Sequence, residues 1–329
     1  MKKLITILFL VTAIIAKSQI QVGSADFPQG NRSGKLSPEN IGKLKSLFTT
    51  IFILQTGDSL RKAEFENAIS QVWTVNKFKV ILPHEQIQYA NRTDCAFASF
   101  GGYKKYIGNL EAYNLHVFYD LKLPQFNKKG EIEYWLMISR IGLFPEDDWW
   151  EKLHNSKEFD KKESESEEIS KLLPTLIHFK NWSPGFIKGY FKRINDLIIK
   201  GKTNGFYSEY IDLDNVKKLT NDTLYLPEYI KEDKDKKSQL EWITFLKEKS
   251  LKTDNLPYFI TFIEQSKLDS LILLRKEKFY YLTHIQSSTD KFVSIFEGTT
   301  GNMLYSKYSP ASYKFKIKDL KKIAEAIDK

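Results

Sequence analysis

The chain has 329 residues, of which 42% are hydrophobic and 28% are charged, with 16 Gly, 10 Pro and 1 Cys. This composition excludes a wholly disordered chain, a collagen and a disulfide scaffold, and the length predicts about two globular domains. The formal net charge is +9, and many lysines are interleaved with acids, as in the runs 161–168 and 231–237. Such runs are typical of solvated loops, so we expect no nucleic-acid binding.

The first eighteen residues predict a secretory signal peptide. A basic start precedes the apolar run 4–16, and small residues at Ala16 and Ser18 precede a cut ahead of Gln19. A membrane span needs about 20 apolar residues, so we expect no membrane insertion after cleavage, and a periplasmic or extracellular location. The single cysteine, Cys95, lies far inside the chain, so neither a lipid anchor nor an intrachain disulfide is expected.

Residues 19–43 are rich in Gly, Pro, Ser and Asn and predict a flexible arm. The first α/β domain is expected at 44–145, because short β-branched and aromatic runs alternate there with helical periodicity. We predict a long helix after residue 58, a short helix after Pro83, and strands at 48–55, 78–82, 95–100, 115–121 and 134–141, with the last two forming an antiparallel hairpin.

A helical bridge is predicted over 146–205. Ser183 followed by Pro184 is a helix cap with proline at the first helical position, and Gly201 is a stop signal. The helix between them carries one wide apolar stripe that must be buried against a domain: Phe186, Ile187, Tyr190, Phe191, Ile194, Leu197 and Ile198.

The second domain, expected at 206–329, repeats the order of the first. Its pattern predicts strands at 223–226, 258–262, 279–284, 292–296 and 303–308, and helices at 239–249, 264–276 and 317–327. Placing Asn76 on Asn255 also aligns Glu85-Gln86 with Glu264-Gln265 without a gap. The expected fold is therefore two similar mixed-sheet α/β domains bridged by a helical segment, either as divergent copies of one unit or as two ordinary α/β domains.

Several motifs resemble a family of exported Bacteroidota proteins of unknown function. They are the segments 182–186 (WSPGF), 223–227 (TLYLP) and 301–305, with Ser312-Tyr313 and 318–320 (KDL). The resemblance covers most of the mature chain. It implies delivery to the periplasm of a Gram-negative cell, and it brings no activity or binding residues with it.

The segment Gly57-Asp58-Ser59-Leu60 is similar to the first block of GDSL-type esterases, in which the serine follows the first strand. A serine nucleophile needs a base, and that family places its histidine in an Asp-x-x-His block that this chain lacks. His284 is the first candidate partner, because it lies in the C-terminal domain. The alternative interpretation is that Asp58 or Ser59 caps the following helix.

No motif predicts a cofactor or metal site. The histidines His84, His116, His154, His178 and His284 are scattered, without the spacing of metal ligands. No glycine-rich turn of a nucleotide-binding fold follows a predicted strand. We expect neither a bound cofactor nor a metal.

Aromatic side chains provide the remaining candidate contacts. Trp149, Trp150, Tyr103 and Tyr106 could form platforms for a glycan or a partner protein. The leading interpretation is an exported, non-catalytic binding or assembly module that contacts an envelope protein or glycan through the groove between its domains. The alternative function is a GDSL-like serine hydrolase with Ser59 as its nucleophile.

Overall fold

The computed structural model describes residues 19–23, 36–46, 49–90, 92–106, 113–149, 152, 172–175, 177–205, 208–231, 256–287 and 290–329. The predicted signal peptide and the predicted helix at 239–249 lie outside these residues. The sequence also predicts a helical stretch at about 167–179; most of it lies outside the described residues, and only 172–175 is described as helical.

The described part of the first half of the chain contains six strands. In chain order, the elements are β1 (Ile20–Val22), α1 (Pro38–Ser46), β2 (Thr49–Ile53), a 3₁₀ helix (Thr56–Arg61), α2 (Lys62–Ser70), β3 (Phe78–Ile81), a 3₁₀ helix (Pro83–Tyr89), β4 (Cys95–Tyr106), β5 (Tyr113–Phe126) and β6 (Ile132–Gly142).

Where the second half is described, it adds six more strands. Its elements are α3 (Pro184–Ile199), β7 (Tyr210–Ile211), α4 (Leu213–Val216), a 3₁₀ helix (Lys217–Leu219), β8 (Thr223–Pro227), a 3₁₀ helix (Glu228–Lys231), β9 (Phe259–Ile263), α5 (Gln265–Leu274), β10 (Tyr280–Ser287), β11 (Asp290–Glu297), β12 (Met303–Ser309) and α6 (Ile317–Ile327).

The two sheets have the same topology. Their strand orders are β1-β6-β5-β4-β2-β3 and β7-β12-β11-β10-β8-β9, so each strand of the first sheet has a counterpart six strands later. In both sheets the three strands at one end pair in parallel and all other neighbours pair antiparallel. The predicted class of two mixed-sheet α/β domains is confirmed.

Two elements lie within the segment 19–43 that composition predicted as a flexible arm. Ile20 and Val22 are fully buried, and β1 pairs with β6 as the edge strand of the first sheet. α1 begins at Pro38, and its Leu44 is also fully buried. This apolar burial explains β1 and α1 despite the turn-forming composition around them. The domain limits at 44–145, 146–205 and 206–329 stay predictions.

Helix α3 lies at the centre of the molecule, and twelve of its sixteen residues are buried. On one side Phe191 packs edge-on against Phe52 of β2 at 4.7 Å. On the other side Phe186 stacks on Tyr281 of β10 at 5.8 Å. A Cβ on Gly189 would stand 2.6 Å from the Tyr281 hydroxyl, so this close approach requires glycine. The predicted stripe is therefore buried between the two sheets.

A buried polar cluster ties α3 to both halves. Asp269 of α5 accepts hydrogen bonds from Ser183 Oγ at 2.6 Å and from the backbone N–H of Gly185 at 3.2 Å. Its other oxygen accepts from Arg61 at 2.8 Å. Burial raises the pKa of Asp269, against these hydrogen bonds and the Arg61 charge. Because a carboxylate at a helix N-terminus is favourable, Asp269 holds the start of α3 in place.

Each sheet is covered on one face by the helix that follows it. α3 covers the first sheet, and α6 covers the second through Leu320 and Ile323, which pack with Leu282 of β10. α3 also covers the opposite face of the second sheet, at Tyr281. The corresponding opposite face of the first sheet carries the separate small cluster of Ile51, Ile53, Ile81, Tyr89, Cys95 and Phe97.

Candidate functional site

A groove lies at the carboxyl ends of β8 and β10, between the second sheet and the segment that follows β6. These two parallel strands are neighbours, but the chain leaves β8 toward β9 and leaves β10 toward β11, on opposite sides. Ligands of open α/β sheets bind at such switch points. We call this the interdomain groove; its lining residues are Phe144, Asp147, Lys180, Tyr229, Ile230, His284, Gln286, Tyr313, Lys314 and Phe315.

The wall from the first half is held by a short backbone pairing. Pro145 forms an isolated antiparallel bridge with Phe179, and the N–H of Phe144 donates to Asn181 Oδ1 at 2.7 Å. This pairing brings Lys180 to Asp147, with 2.8 Å between Nζ and Oδ1. The Lys180 ammonium also lies 5.1 Å from the centre of the Phe144 ring. One wall is therefore an aromatic ring beside a paired cation.

The opposite wall is built around His284 near the end of β10. Its ring lies edge-on to Phe144 at 5.5 Å and packs with Phe315 at 5.7 Å. Tyr229, in the 3₁₀ helix after β8, donates from its hydroxyl to the carbonyl of His284 at 3.0 Å. The packing fixes the imidazole in one orientation.

The His284 imidazole is neutral at physiological pH. Burial lowers its pKa to about 4, because the charged ring would lose its hydration. Its Nε2 lies 3.0 Å from the carbonyl oxygen of Tyr313, and since a carbonyl only accepts, Nε2 carries the proton and Nδ1 is an acceptor. Nδ1 has no hydrogen-bond partner among the described residues.

The groove encloses about 210 Å³, which is below the roughly 300 to 1,000 Å³ of typical small-molecule sites. Its walls provide apolar rings, the neutral His284 acceptor, the Gln286 amide, the paired Lys180 and a second lysine, Lys314. The Tyr313 ring is 42% exposed and stands at the edge. This arrangement suits one side chain or one sugar ring of a larger partner.

Ser59 lies in the equivalent corner of the first sheet, after β2. It is exposed within the 3₁₀ helix Thr56–Arg61, and α2 begins only at Lys62, so neither Asp58 nor Ser59 is the N-cap of α2. Asp58 instead accepts from the backbone N–H of Gln55 and from Trp182 Nε1, both at 2.9 Å. Of the two residues, Asp58 is the one that makes the capping contact.

The hydrolase alternative requires Ser59 to pair with a histidine, with His284 as its first candidate, and the described residues show no such contact. No hydrogen bond, ion pair or ring contact joins Ser59 to any described histidine. The histidine at this corner is His178, whose Cε1 would stand 3.3 Å from a Cβ on Gly57. Sequence reasoning did not connect His178 to this corner, because its neighbours carry no motif.

The first sheet's corner is closed by aromatic residues of the segment 177–183. Phe179 stacks on Phe100 at 5.7 Å, and Trp182 contacts both Phe100 at 4.8 Å and Phe65 at 5.6 Å. Trp182 is only 8% exposed. The switch point is thus filled in the first sheet and open in the second.

The other predicted contact residues do not come together in the groove. Tyr103 stacks on His116 at 4.9 Å, on the face of the first sheet opposite α3. Tyr106 lies at the end of β4, where its backbone pairs with that of Tyr113. Trp149 is half-buried against the main core, and Trp150 lies outside the described residues.

Three further features bear on the site. Within the described ranges, no group of three or more His, Cys, Asp or Glu side chains could hold a metal ion, and no helix is long and apolar enough to cross a membrane. Cys95 is buried as a free thiol, and burial raises its pKa to about 11. Its thiol therefore stays protonated and is a poor nucleophile.

Searches of protein-family models, of curated proteins and of solved structures find no match to this chain.

Proposed function

We propose that this protein is an exported, non-catalytic binding or assembly module whose contact surface is the interdomain groove. The observation that carries the proposal is the position of the groove at the open switch point of the second sheet, with walls from both halves of the chain. Clefts between domains and at switch points are the common ligand sites of α/β folds.

The chemistry of the walls supports binding rather than catalysis. The neutral His284 lacks a described nucleophile or acid within hydrogen-bond reach of Nδ1, so it presents an acceptor and no proton relay. Lys180 is neutralised by Asp147. A small cavity lined by fixed rings and a few polar groups recognises a single protruding group of an envelope protein or a glycan.

The proposal places the mature protein in the periplasm or outside the cell, in contact with an envelope component. Its test is a pull-down from the native envelope with immobilised mature protein. We expect Tyr313→Ala to reduce the captured partner by about tenfold or more, because an exposed aromatic ring at the groove edge is removed.

The matched control is Leu274→Ala, which truncates a 74% exposed side chain at the end of α5, outside the groove lining. It should leave capture unchanged. Equal loss in both variants, or equal capture by wild type and Tyr313→Ala, would contradict the assignment of the groove.

A further inference from the structure

A second cavity, of about 300 Å³, lies on the face of the first sheet that α3 does not cover. Its floor is apolar: Phe97 is 8% and Ile53 is 2% exposed, and the rings of Phe97 and Trp135 meet edge-on at 5.6 Å. The 3₁₀ helix Pro83–Tyr89 forms one rim through Gln86. This floor is fixed by strand pairing and packing before any ligand arrives.

One cation at this cavity, Lys122, has no partner among the described residues. Lys122 of β5 lies directly across from Phe97 of β4 and lines the cavity. Its ammonium makes no hydrogen bond or ion pair with any residue in the described part of the chain. Ser99, which also lines the cavity, likewise has an uncommitted hydroxyl.

Two carboxylates on or beside this face are already engaged. Asp120, which faces Ser99 across the strand pair, forms a buried two-point ion pair with Arg140 at 2.7 and 2.8 Å. Glu85, on the rim helix, pairs with Lys62 at 2.8 Å. The positive charge of Lys122 is therefore left uncompensated beside an apolar floor.

The second sheet shows what a helix on this face requires. There, α3 packs on the equivalent face with Phe186 stacked on Tyr281, and Gly189 is needed for the close approach. A helix laid on the first sheet would instead bury the unpaired Lys122 ammonium, which is costly. A small anionic ligand both fills the volume and supplies the missing charge.

We infer that this cavity is a binding site for a small organic acid, a monocarboxylate with a flat or branched apolar body. The body packs on Phe97, Trp135 and Ile53, and the carboxylate accepts hydrogen bonds from Lys122 and Ser99. A charge-assisted hydrogen bond over an apolar floor is the usual composition of such sites. The inference is independent of the interdomain groove, with which the cavity shares no residue.

The test is calorimetric titration of the mature protein with phenylacetate, indole-3-acetate and hexanoate, and with the neutral analogue phenylacetamide. At least one acid should bind, and phenylacetamide should bind more weakly. Lys122→Met keeps most of the length of the side chain but removes its charge, and it should weaken binding of the acid by about tenfold or more. Lys122→Arg, which keeps the charge, should retain most of the affinity.

Lys128→Met is the matched control, since it removes an exposed lysine of the β5–β6 turn, and it should change nothing. Unaltered thermal midpoints verify that the variants are folded. The inference is overturned if no acid binds, if the amide binds as well as the acid, or if Lys122→Met has no effect. Self-association of the protein that Lys122→Met strengthens would also overturn it and would assign this face to a second copy.

Discussion

At the residue scale, Asp58 and Ser59 are neighbours with different roles. Asp58 is largely buried and joins the backbone of Gln55 to the Trp182 indole, and burial raises its pKa despite these hydrogen bonds. Asp58→Ala leaves two donors without their acceptor and should cost about 1 to 3 kcal/mol of unfolding free energy in urea titrations. Ser59→Ala should cost less than about 0.5 kcal/mol, because an exposed hydroxyl is removed.

Asp58→Asn provides the control. It keeps an acceptor oxygen, so it should lose less unfolding free energy than Asp58→Ala. The account fails at this corner if a fluorophosphonate probe labels Ser59 stoichiometrically and Ser59→Ala abolishes the labelling. That result would restore the hydrolase alternative, with His178 as the base to test.

His284 gives the protein a pH dependence of known sign. Its folded-state pKa of about 4 lies below the ordinary value of 6.5, so between these values the unfolded state binds more protons. Neutral His284 therefore contributes about 3 kcal/mol to the free energy of unfolding. This contribution is complete above pH 6.5 and is lost as the pH falls toward 4. In His284→Gln, which cannot titrate, the stability difference between pH 7 and pH 4.5 should shrink accordingly.

Urea unfolding at several pH values measures this effect. His84→Gln is the matched control, because His84 is exposed, and it should follow the wild-type profile. Identical acid profiles of wild type and His284→Gln would show that the imidazole is accessible to protons in the folded protein.

The sequence predicted least well which side chains come together in the candidate sites. The GDSL-like segment does follow the first parallel strand, as its motif predicts, but the partner of a nucleophile is set by tertiary contacts. The groove has the same limitation: Lys180, His284 and Tyr313 come from three distant segments. No local pattern links them, although the sequence names His284 as a candidate base and places Tyr313 in a motif of the family resemblance.

At the element scale, α3 is the helix on which both sheets depend. Phe191 is 1% exposed and contacts the rings of Phe52 and Trp73. Phe191→Ala should cost about 3 to 5 kcal/mol, since it removes buried apolar surface and leaves a cavity between tightly packed layers. Thermal and urea unfolding measure the loss.

The control on the same helix is Ile199→Ala, at a side chain that is 44% exposed. It should have a clearly smaller effect. A thermal midpoint of Phe191→Ala equal to that of the wild type would mean that α3 does not bury its stripe, and the stripe would then have to be assigned to a partner.

Elements with strong periodicity were predictable, and short ones were not. The stripe of α3 and the limits 317–327 of α6 follow from apolar spacing alone. β1 and β7 have three and two residues, too few to show a period, and they exist because longer strands pair with them. α2 begins at Lys62, later than the predicted start after residue 58, because the 3₁₀ helix Thr56–Arg61 precedes it.

At the scale of the whole molecule, two sheets share one strand order but carry their cavities at different places. The identical strand order fits the hypothesis of divergent copies, which differing orders would have excluded. The switch point is closed by Trp182 in the first sheet and open in the second. The opposite face is covered by α3 in the second sheet, whereas in the first sheet it carries a cavity among the described residues.

The export proposal carries a prediction about the mature chain. Because β1 begins at Ile20 and is fully buried in the first sheet, a cut after Ser18 preserves that strand. We expect N-terminal and intact-mass measurements on the exported protein to give a chain that begins at Gln19. A membrane fraction that retains residues 1–18 would contradict the prediction, as would a mature chain that lacks β1.

The most direct test of the interdomain groove is site-specific photo-crosslinking in the native envelope. A benzophenone amino acid placed at Tyr313 should give one discrete adduct, and the same amino acid at Leu274, outside the groove, should not. Excess unlabelled wild-type protein should compete the adduct away, whereas excess Tyr313→Ala should not. No adduct at position 313, or equal adducts at both positions, would contradict the proposal that this protein binds its partner through the groove.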